Sequence, residues 1–101
     1  MKNNLYYYFS TLVIYRSEVF DNNLIQYEYS IFLDVYDKLT DKDKEIIYYY
    51  LKLFVENYKN EKNKLLLSHK IIKQVCKDKN ISLEYFDKLI SLFEIEGVFL
   101  C

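Results

Sequence analysis

The sequence predicts an all-α or nearly all-α fold, because turn-forming residues are scarce and apolar residues recur at helical spacing. The 101 residues include no proline and one glycine, so tight β-hairpins lack the residues that their turns require. With 51% hydrophobic and 29% charged residues, the composition is that of a globular chain. We therefore predict a single domain at residues 1–101, with four to five helices around a central helix at residues 41–58.

The predicted central helix has a broad apolar face. Its members recur at i, i+3 and i+4 spacing and are Ile46, Ile47, Tyr50, Leu51, Phe54, Val55 and Tyr58. Thr40 is suited to cap this helix, and Asp41 and Asp43 place negative charge in its first turn, where the helix dipole favours it. Because more than half of the circumference is apolar, we expect other segments to cover the helix on two sides. The polar strip that remains consists of Glu45, Tyr49, Lys52 and Glu56.

The two segments before the central helix are compatible with both helix and strand. Residues 4–20 have helical spacing but are rich in Tyr, Thr, Val and Ile, which also suit strands. We favour a helix because no turn residues divide this segment. The stretch Asp21-Asn22-Asn23 then interrupts the chain and can cap the next helix. Residues 24–39 carry a helical apolar stripe, although alternation between Ile25 and Ile31 also fits a strand at the start. The stripe consists of Leu24, Ile25, Ile31, Phe32, Val35 and Leu39.

Two further helices are predicted after a polar link at residues 59–64. Ser68 is expected to cap the first, and Lys79-Asn80 to end it, because Asn tolerates the left-handed conformation common at helix ends. Ser82 is expected to begin the second, and Gly97 to stop it. Residues 98–100 are suited to a short terminal strand.

Residues 65–100 resemble the helix-turn-helix core of winged-helix domains. The matching elements are a short helix at 71–77, a turn at 78–81, a helix at 82–93 and the closing Glu96-Gly97-Val98. Cys76 supplies a small residue where the two helices would cross, and Asn80 stands where such turns often have glycine. In that family the second helix reads bases in the DNA major groove. The resemblance assigns that role to Ser82, Glu84, Tyr85, Lys88 and Ser91.

Two features of the sequence depart from that family. The exposed face of the second helix has Glu84 and Asp87 against one cation, Lys88, and DNA phosphates repel an acidic helix. At most one strand can come after this helix, so we expect the two-stranded wing to be missing. Both departures disfavour DNA reading by this helix.

A lysine-rich segment suggests nucleic-acid binding by another surface. Residues 59–79 contain seven lysines against Glu61 and Asp78, a local charge of +5 in a chain whose net charge is −1. Such a stripe beside tyrosines can follow a phosphate backbone, although a solvated lysine-rich face explains the same pattern, and the lack of arginine weakens base recognition. The candidate residues are Lys59, Lys62, Lys64, Lys70, Lys73, Lys77, Lys79 and Lys88.

Tyrosine is in marked excess, with 12 in 101 residues. The triplets Tyr6-Tyr7-Tyr8 and Tyr48-Tyr49-Tyr50 cannot all point inward from a helix, so several rings must reach the surface, where tyrosine is enriched in binding hot spots. The candidate protein-binding residues are Tyr6, Tyr7, Tyr48, Tyr49, Glu84 and Tyr85. AT-rich codon usage explains the same excess without a binding role, and is typical of a low-GC bacterium, a virus, a phage or a plasmid.

No pattern of residues indicates catalysis, a metal or a cofactor. His69 is the only histidine, and no nucleophile or orienting acid is near it in sequence. Cys76 and Cys101 lack C-x-x-C spacing, and two cysteines cannot complete a four-ligand zinc site. One glycine leaves no phosphate-cradling loop. We therefore expect a protein that is not an enzyme and has no cofactor.

The hypotheses for function are reached by exclusion. The sequence has neither a signal-peptide pattern nor an apolar run long enough to cross a bilayer, so we expect a cytoplasmic protein with reduced thiols and no membrane partner. The leading hypothesis is a small regulator or inhibitor that binds another protein, such as a phage or virus product aimed at a host or defence complex. The alternative is a nucleic-acid-binding regulator that uses residues 59–79. A structural subunit comes third, and a homodimer is compatible with each hypothesis.

Overall fold

The computed structural model describes residues 2–17 and 20–99, and within them the chain forms five α-helices and one 3₁₀ turn. The helices are α1 (Lys2–Ser17), α2 (Asn22–Tyr36), α3 (Asp41–Asn57), α4 (Lys64–Lys79) and α5 (Leu83–Glu94), and the 3₁₀ turn is Tyr58–Asn60. These residues contain no strand, which confirms the all-α prediction. Residues 4–17 and 24–36, from the two segments that also suited strands, are helical. Residues 18–19 of the first segment lie outside the described residues.

Polar residues cap α2, α3 and α5 where the sequence predicts that they should. Thr40 Oγ1 accepts a hydrogen bond from the Asp43 amide at 3.2 Å, and Ser82 Oγ accepts one from the Tyr85 amide at 3.0 Å. The Asp21 carboxylate caps α2 in the same way. Each cap satisfies a backbone N–H that has no partner within its own helix. The starts predicted for α3 and α5 are therefore confirmed.

The start of α4 differs from the prediction. Asn63, rather than Ser68, caps this helix, because its side-chain oxygen accepts a hydrogen bond from the Leu66 amide at 3.1 Å. Asparagine caps a helix as well as serine does. A helix capped by Asn63 also includes Leu67, which lies one turn before Ile71 on the same face. Both side chains are buried. The prediction of a cap at Ser68 was wrong because this tertiary burial favours the earlier start.

The ends of the last two helices depend on left-handed backbone. Asn80 ends α4 with φ +54°, as expected, and residues 80–82 form the turn to α5, later than the predicted turn at 78–81. After α5, Gly97 has φ +84° and the Val98 amide donates to the Phe93 carbonyl at 3.0 Å. This reversal buries Val98 in the core. Residues 98–99 therefore form a turn instead of the expected terminal strand, and residue 100 lies outside the described residues.

The five helices form a closed ring around one core. Each helix has two principal neighbours, in the cyclic order α1, α3, α4, α5, α2. Helix α3 makes the most extensive contacts, with α1 on one side and α4 on the other, which confirms that the central helix is covered on two sides. All five helices contribute buried apolar residues to one cluster. The contact between α2 and α5 is the least extensive of the five, so the ring is loosest there.

Candidate functional site

An open groove lies along this loose contact between α2 and α5. It has a volume of about 700 Å³, within the range of ligand-binding clefts. The residues that line the α2–α5 groove are Tyr27, Ile31, Asp34, Val35, Lys38, Leu39, Leu92 and Glu96. Five of the eight are apolar or aromatic and three are charged, so the groove presents apolar and polar surface in nearly equal measure.

The groove exists because α2 has two apolar faces. One face, with Ile25, Phe32 and Tyr36, is buried in the molecule. The other face presents Tyr27, Ile31 and Val35, which recur at i, i+4 and i+8. At 3.6 residues per turn, this face lies about 120° around the helix axis from the buried face. From the sequence, the apolar residues of this segment were expected to form a single stripe. The structure separates them into a core face and a groove face.

Three apolar side chains on or beside the groove are substantially exposed. Tyr27 is 64% exposed and Leu92, on the opposite wall, is 47% exposed. Leu24, one turn before Tyr27 on α2, extends the apolar stripe and is also exposed. None of the three belongs to the core cluster. Adjacent exposed apolar side chains of this kind are typical of a surface that binds a partner.

The two helices that form the groove are acidic. Helix α2 carries Glu28 and Asp34 and no lysine or arginine, whereas α5 carries three carboxylates and one lysine, Lys88. Asp34 and Glu96 line the groove together with a single cation, Lys38. The electrostatic potential at this surface therefore favours a cationic ligand.

The predicted protein-binding tyrosines of α1 and α3 lie on a different surface from the groove. Tyr8 links two of them, because its ring makes edge contacts with the rings of Tyr7 and Tyr48 at centroid distances of 5.4 and 5.6 Å. Tyr6 packs edge-on against Tyr29 at 4.8 Å. Of these rings, Tyr7 is the most open to solvent. The structure thus brings Tyr7 and Tyr48 together through Tyr8, while Tyr6 joins the aromatic residues of α2.

Two other predicted residues, Tyr49 and Tyr85, have hydroxyls that tie helices together. The Tyr49 hydroxyl donates to Asp78 Oδ2, joining α3 to α4, and the Tyr85 hydroxyl donates to Asp43 Oδ1, joining α5 to α3. The hydrogen bond to Asp78 raises the pKa of Tyr49, and the same bond lowers the pKa of Asp78. Glu84 instead forms an ion pair with Lys88 across one turn of α5, at 3.4 Å.

The eight candidate lysines divide into engaged and open groups. Three form ion pairs: Lys70 with Glu61 at 3.1 Å, Lys79 with Glu45 at 3.2 Å, and Lys88 with Glu84. Lys64 donates to the Tyr15 carbonyl at 2.6 Å and lies over the Tyr58 ring. Within the described residues, the exposed lysines that form neither an ion pair nor a side-chain hydrogen bond are Lys59, Lys62, Lys73 and Lys77.

The predicted base-reading residues of α5 are exposed but have partners within the molecule. Ser82 caps the helix, Ser91 Oγ donates to the Asp87 carbonyl at 2.7 Å, and the Tyr85 hydroxyl bonds to Asp43. The acidic character of this helix disfavours a DNA contact, as the sequence suggests. The resemblance to winged-helix domains stays a prediction.

Histidine and cysteine do not assemble a reactive site among residues 2–17 and 20–99. His69 is exposed on α4. Burial raises the pKa of the Cys76 thiol, whose sulfur lies 3.9 Å from the Ser82 carbonyl oxygen. Cys101 lies outside the described residues. In the same part of the chain, no three side chains of His, Cys, Asp or Glu are placed to hold a metal ion. None of the helices described there is both long and apolar enough to cross a bilayer.

None of the residues that line the groove is among the candidates predicted from the sequence, which are tyrosines, lysines, Glu84, Ser82 and Ser91. The signal that could have found them is the i, i+4, i+8 spacing of Tyr27, Ile31 and Val35. The chain has no significant match among protein-family models, curated proteins or solved structures.

Proposed function

We propose that this protein binds another protein through the α2–α5 groove and acts as a non-catalytic regulator or inhibitor of that partner. The observation that carries the proposal is the pair of exposed apolar side chains Tyr27 of α2 and Leu92 of α5, which line the groove beside the partly buried Ile31 and Val35. Covering apolar surface contributes about 25 cal/mol per Å². A partner that covers these side chains therefore gains favourable free energy at a surface that the fold itself leaves open.

The position of Tyr27 supports a protein partner. Its ring stands at the groove edge, and tyrosine is enriched in interface hot spots because a stiff ring gives a large contact area at a small entropic cost. Five of the eight lining residues also lie on α2 or α5, whose backbone is held by the hydrogen bonds of the helix. Its shape therefore needs little rearrangement when a partner binds.

Photo-crosslinking in cells of the source organism tests this proposal. A photoreactive phenylalanine analogue is placed at position 27, 92 or 65, one per variant. Leu65 is the matched control, because it is 70% exposed but lies on α4, away from the groove. We expect one adduct of the same mass from positions 27 and 92 and none from position 65. An equal adduct at position 65, or no adduct from either groove position, would contradict the proposal.

The isolated complex gives a second measurement. Leu92→Glu should weaken binding about tenfold or more, because a charge then faces the partner's apolar residues, and tenfold corresponds to about 1.4 kcal/mol. Leu65→Glu should leave the affinity unchanged. Both leucines are exposed, so neither substitution removes core packing.

Nucleic-acid binding is the second candidate function. The observation that favours it is the set of four exposed lysines that form neither ion pairs nor side-chain hydrogen bonds within the described residues, which lie in the Tyr58–Asn60 turn, in the link after it and on α4. Lysines of this kind can neutralise phosphates and release counterions. Titration of short duplex and single-stranded nucleic acid at two salt concentrations tests this candidate. Absence of binding at low salt would remove it.

A further inference from the structure

We infer that the partner segment in the α2–α5 groove is a short amphipathic α-helix flanked by lysine or arginine. This inference rests on the proposed function and adds the chemistry of the partner. Three properties of the groove carry it: its length, the structure of its walls and its charge.

The length of the groove fits about two turns of helix. Tyr27 and Val35 are eight residues apart on one helix, so the apolar wall runs for about 12 Å at 1.5 Å per residue. A partner helix that presents apolar side chains at i, i+4 and i+7 covers about 10 Å at the same rise. Tyr27, Ile31 and Val35 then have one partner side chain each to contact.

The walls of the groove favour a helix over an extended peptide. Four of the eight lining residues lie on α2, Leu92 lies on α5, and the other three lie in the turns that follow these helices. Residues 2–17 and 20–99 offer no strand edge to pair with. An extended segment would bring unpaired backbone amides and carbonyls against Ile31, Val35 and Leu92, which costs free energy. A helix satisfies its backbone internally and presents only side chains.

The charge of the groove selects a cationic partner. Asp34 on α2 and Glu96 after α5 line the groove, so a partner helix between the two walls passes both carboxylates. Lys38 is the one cation among the lining residues, which leaves the lining with a net charge of −1. Arginine suits such positions well, because its planar guanidinium can bond both oxygens of a carboxylate. The partner's cations should therefore flank its apolar residues.

This chain contains a segment of similar chemistry, which makes a second copy the main competing occupant. Leu65 and Leu66 are exposed at the start of α4, next to Lys62 and Lys64. If that segment entered the groove of another copy, the protein would self-associate, and Leu65→Glu would abolish the association. Sedimentation of the wild type and of Leu65→Glu therefore separates this occupant from a foreign helix.

Selection from an unbiased random peptide library displayed on phage tests the inference. The full chain is the bait, and the variant Tyr27→Glu/Leu92→Glu removes peptides that do not need the groove. Groove-dependent peptides should have a net positive charge, apolar residues at i, i+3 or i+4, and i+7, and a gain of helical circular dichroism on binding. Groove-dependent peptides that are acidic, or that bind in an extended form, would overturn the inference and leave the proposed function standing.

Two further outcomes complete the test. A library that yields no groove-dependent peptide would count against the proposed function itself. Concentration-dependent self-association that is lost in Leu65→Glu would overturn the proposal of a foreign helix in favour of a second copy.

For a selected cationic peptide, Asp34→Lys/Glu96→Lys should weaken binding about tenfold. Each exposed ion pair contributes modestly, and the substitutions turn two attractive contacts with the peptide's cations into repulsive ones. The same peptide with its cations changed to Glu should recover binding to this charge-reversed variant.

Discussion

The ring of Phe32 on α2 stacks on the ring of Phe93 on α5, at a centroid distance of 5.2 Å and an interplanar angle of 25°. Both side chains are fully buried, and the Phe32 ring also packs against Phe9 of α1 at 4.6 Å. The two helices that separate at the surface to form the groove are thus joined in the core. This aromatic contact fixes the spacing of the groove walls from within.

Phe93→Ala should therefore destabilise the fold strongly. Removing a buried phenylalanine costs about 3–5 kcal/mol, because apolar packing is removed and a cavity remains. Leu92→Ala, at the neighbouring half-exposed position, is the matched control and should cost much less. Urea unfolding monitored by circular dichroism measures both. Equal losses in the two variants would contradict the burial of Phe93 beneath the groove.

The start of α4 can be tested with a second pair of substitutions. Asn63→Ala should lower the free energy of unfolding by about 1 kcal/mol, because it removes the side-chain oxygen that caps the helix. Ser68→Ala should have little effect, since Ser68 lies inside the helix and alanine is the better helix former. Thermal or urea unfolding compares the two variants. A larger loss for Ser68→Ala would restore the later start predicted from the sequence.

The hydrogen bond between Tyr49 and Asp78 predicts a dependence on pH. It lowers the pKa of Asp78, so the stabilisation it gives is present above the ordinary value of 3.8 and is lost as the pH falls through the lower value in the folded protein. It raises the pKa of Tyr49 above 10.0, so at the alkaline end the stabilisation is lost as the pH rises through the folded value.

Tyr49→Phe removes the donor and should move the pKa of Asp78 back toward 3.8. A carboxyl ¹³C NMR titration of Asp78 measures this change. Tyr7→Phe is the control, because that ring contacts Tyr8 and lies on a different surface. An unchanged pKa of Asp78 in Tyr49→Phe would show that the hydrogen bond does not form.

If the protein binds duplex nucleic acid, the open lysines should account for its salt dependence. Lys73→Ala/Lys77→Ala should reduce the slope of log affinity against log salt by about 1.8, at roughly 0.9 for each phosphate that is no longer neutralised. Lys79→Ala should change it less, because Lys79 already pairs with Glu45 and lies over the Tyr49 ring. Filter binding across a salt series measures these slopes. Equal effects of open and paired lysines would argue against this route.

The helices were predictable where their signals are local. Thr40 and Ser82 precede apolar stripes at short range, so cap chemistry and spacing locate α3 and α5 without tertiary information. The choice between Asn63 and Ser68 as the cap of α4 needed tertiary information, because both residues are good caps. It depends on the burial of Leu67 among neighbours that are distant in sequence.

The spacing of Tyr27, Ile31 and Val35 predicts one wall of the groove, but the groove itself depends on how the ring of helices closes. Spacing shows that α2 has apolar residues around much of its surface, but only the contact with α5 decides which of them remain open. The ion pairs likewise include one that is predictable from sequence spacing and one that depends on the tertiary fold. Lys88 and Glu84 are one turn apart and can be paired from sequence, whereas Lys79 and Glu45 lie on different helices and are 34 residues apart.

The two apolar faces of α2 have a practical consequence for engineering. Leu24, Tyr27 and Leu92 lie outside the core cluster, so these residues can be substituted without changing how the interior packs. A combinatorial library randomised at these three positions should retain the thermal midpoint of the parent chain while sampling new specificities. The three side chains proposed to contact a partner, two on α2 and one on α5, are therefore separate from the residues that pack the interior.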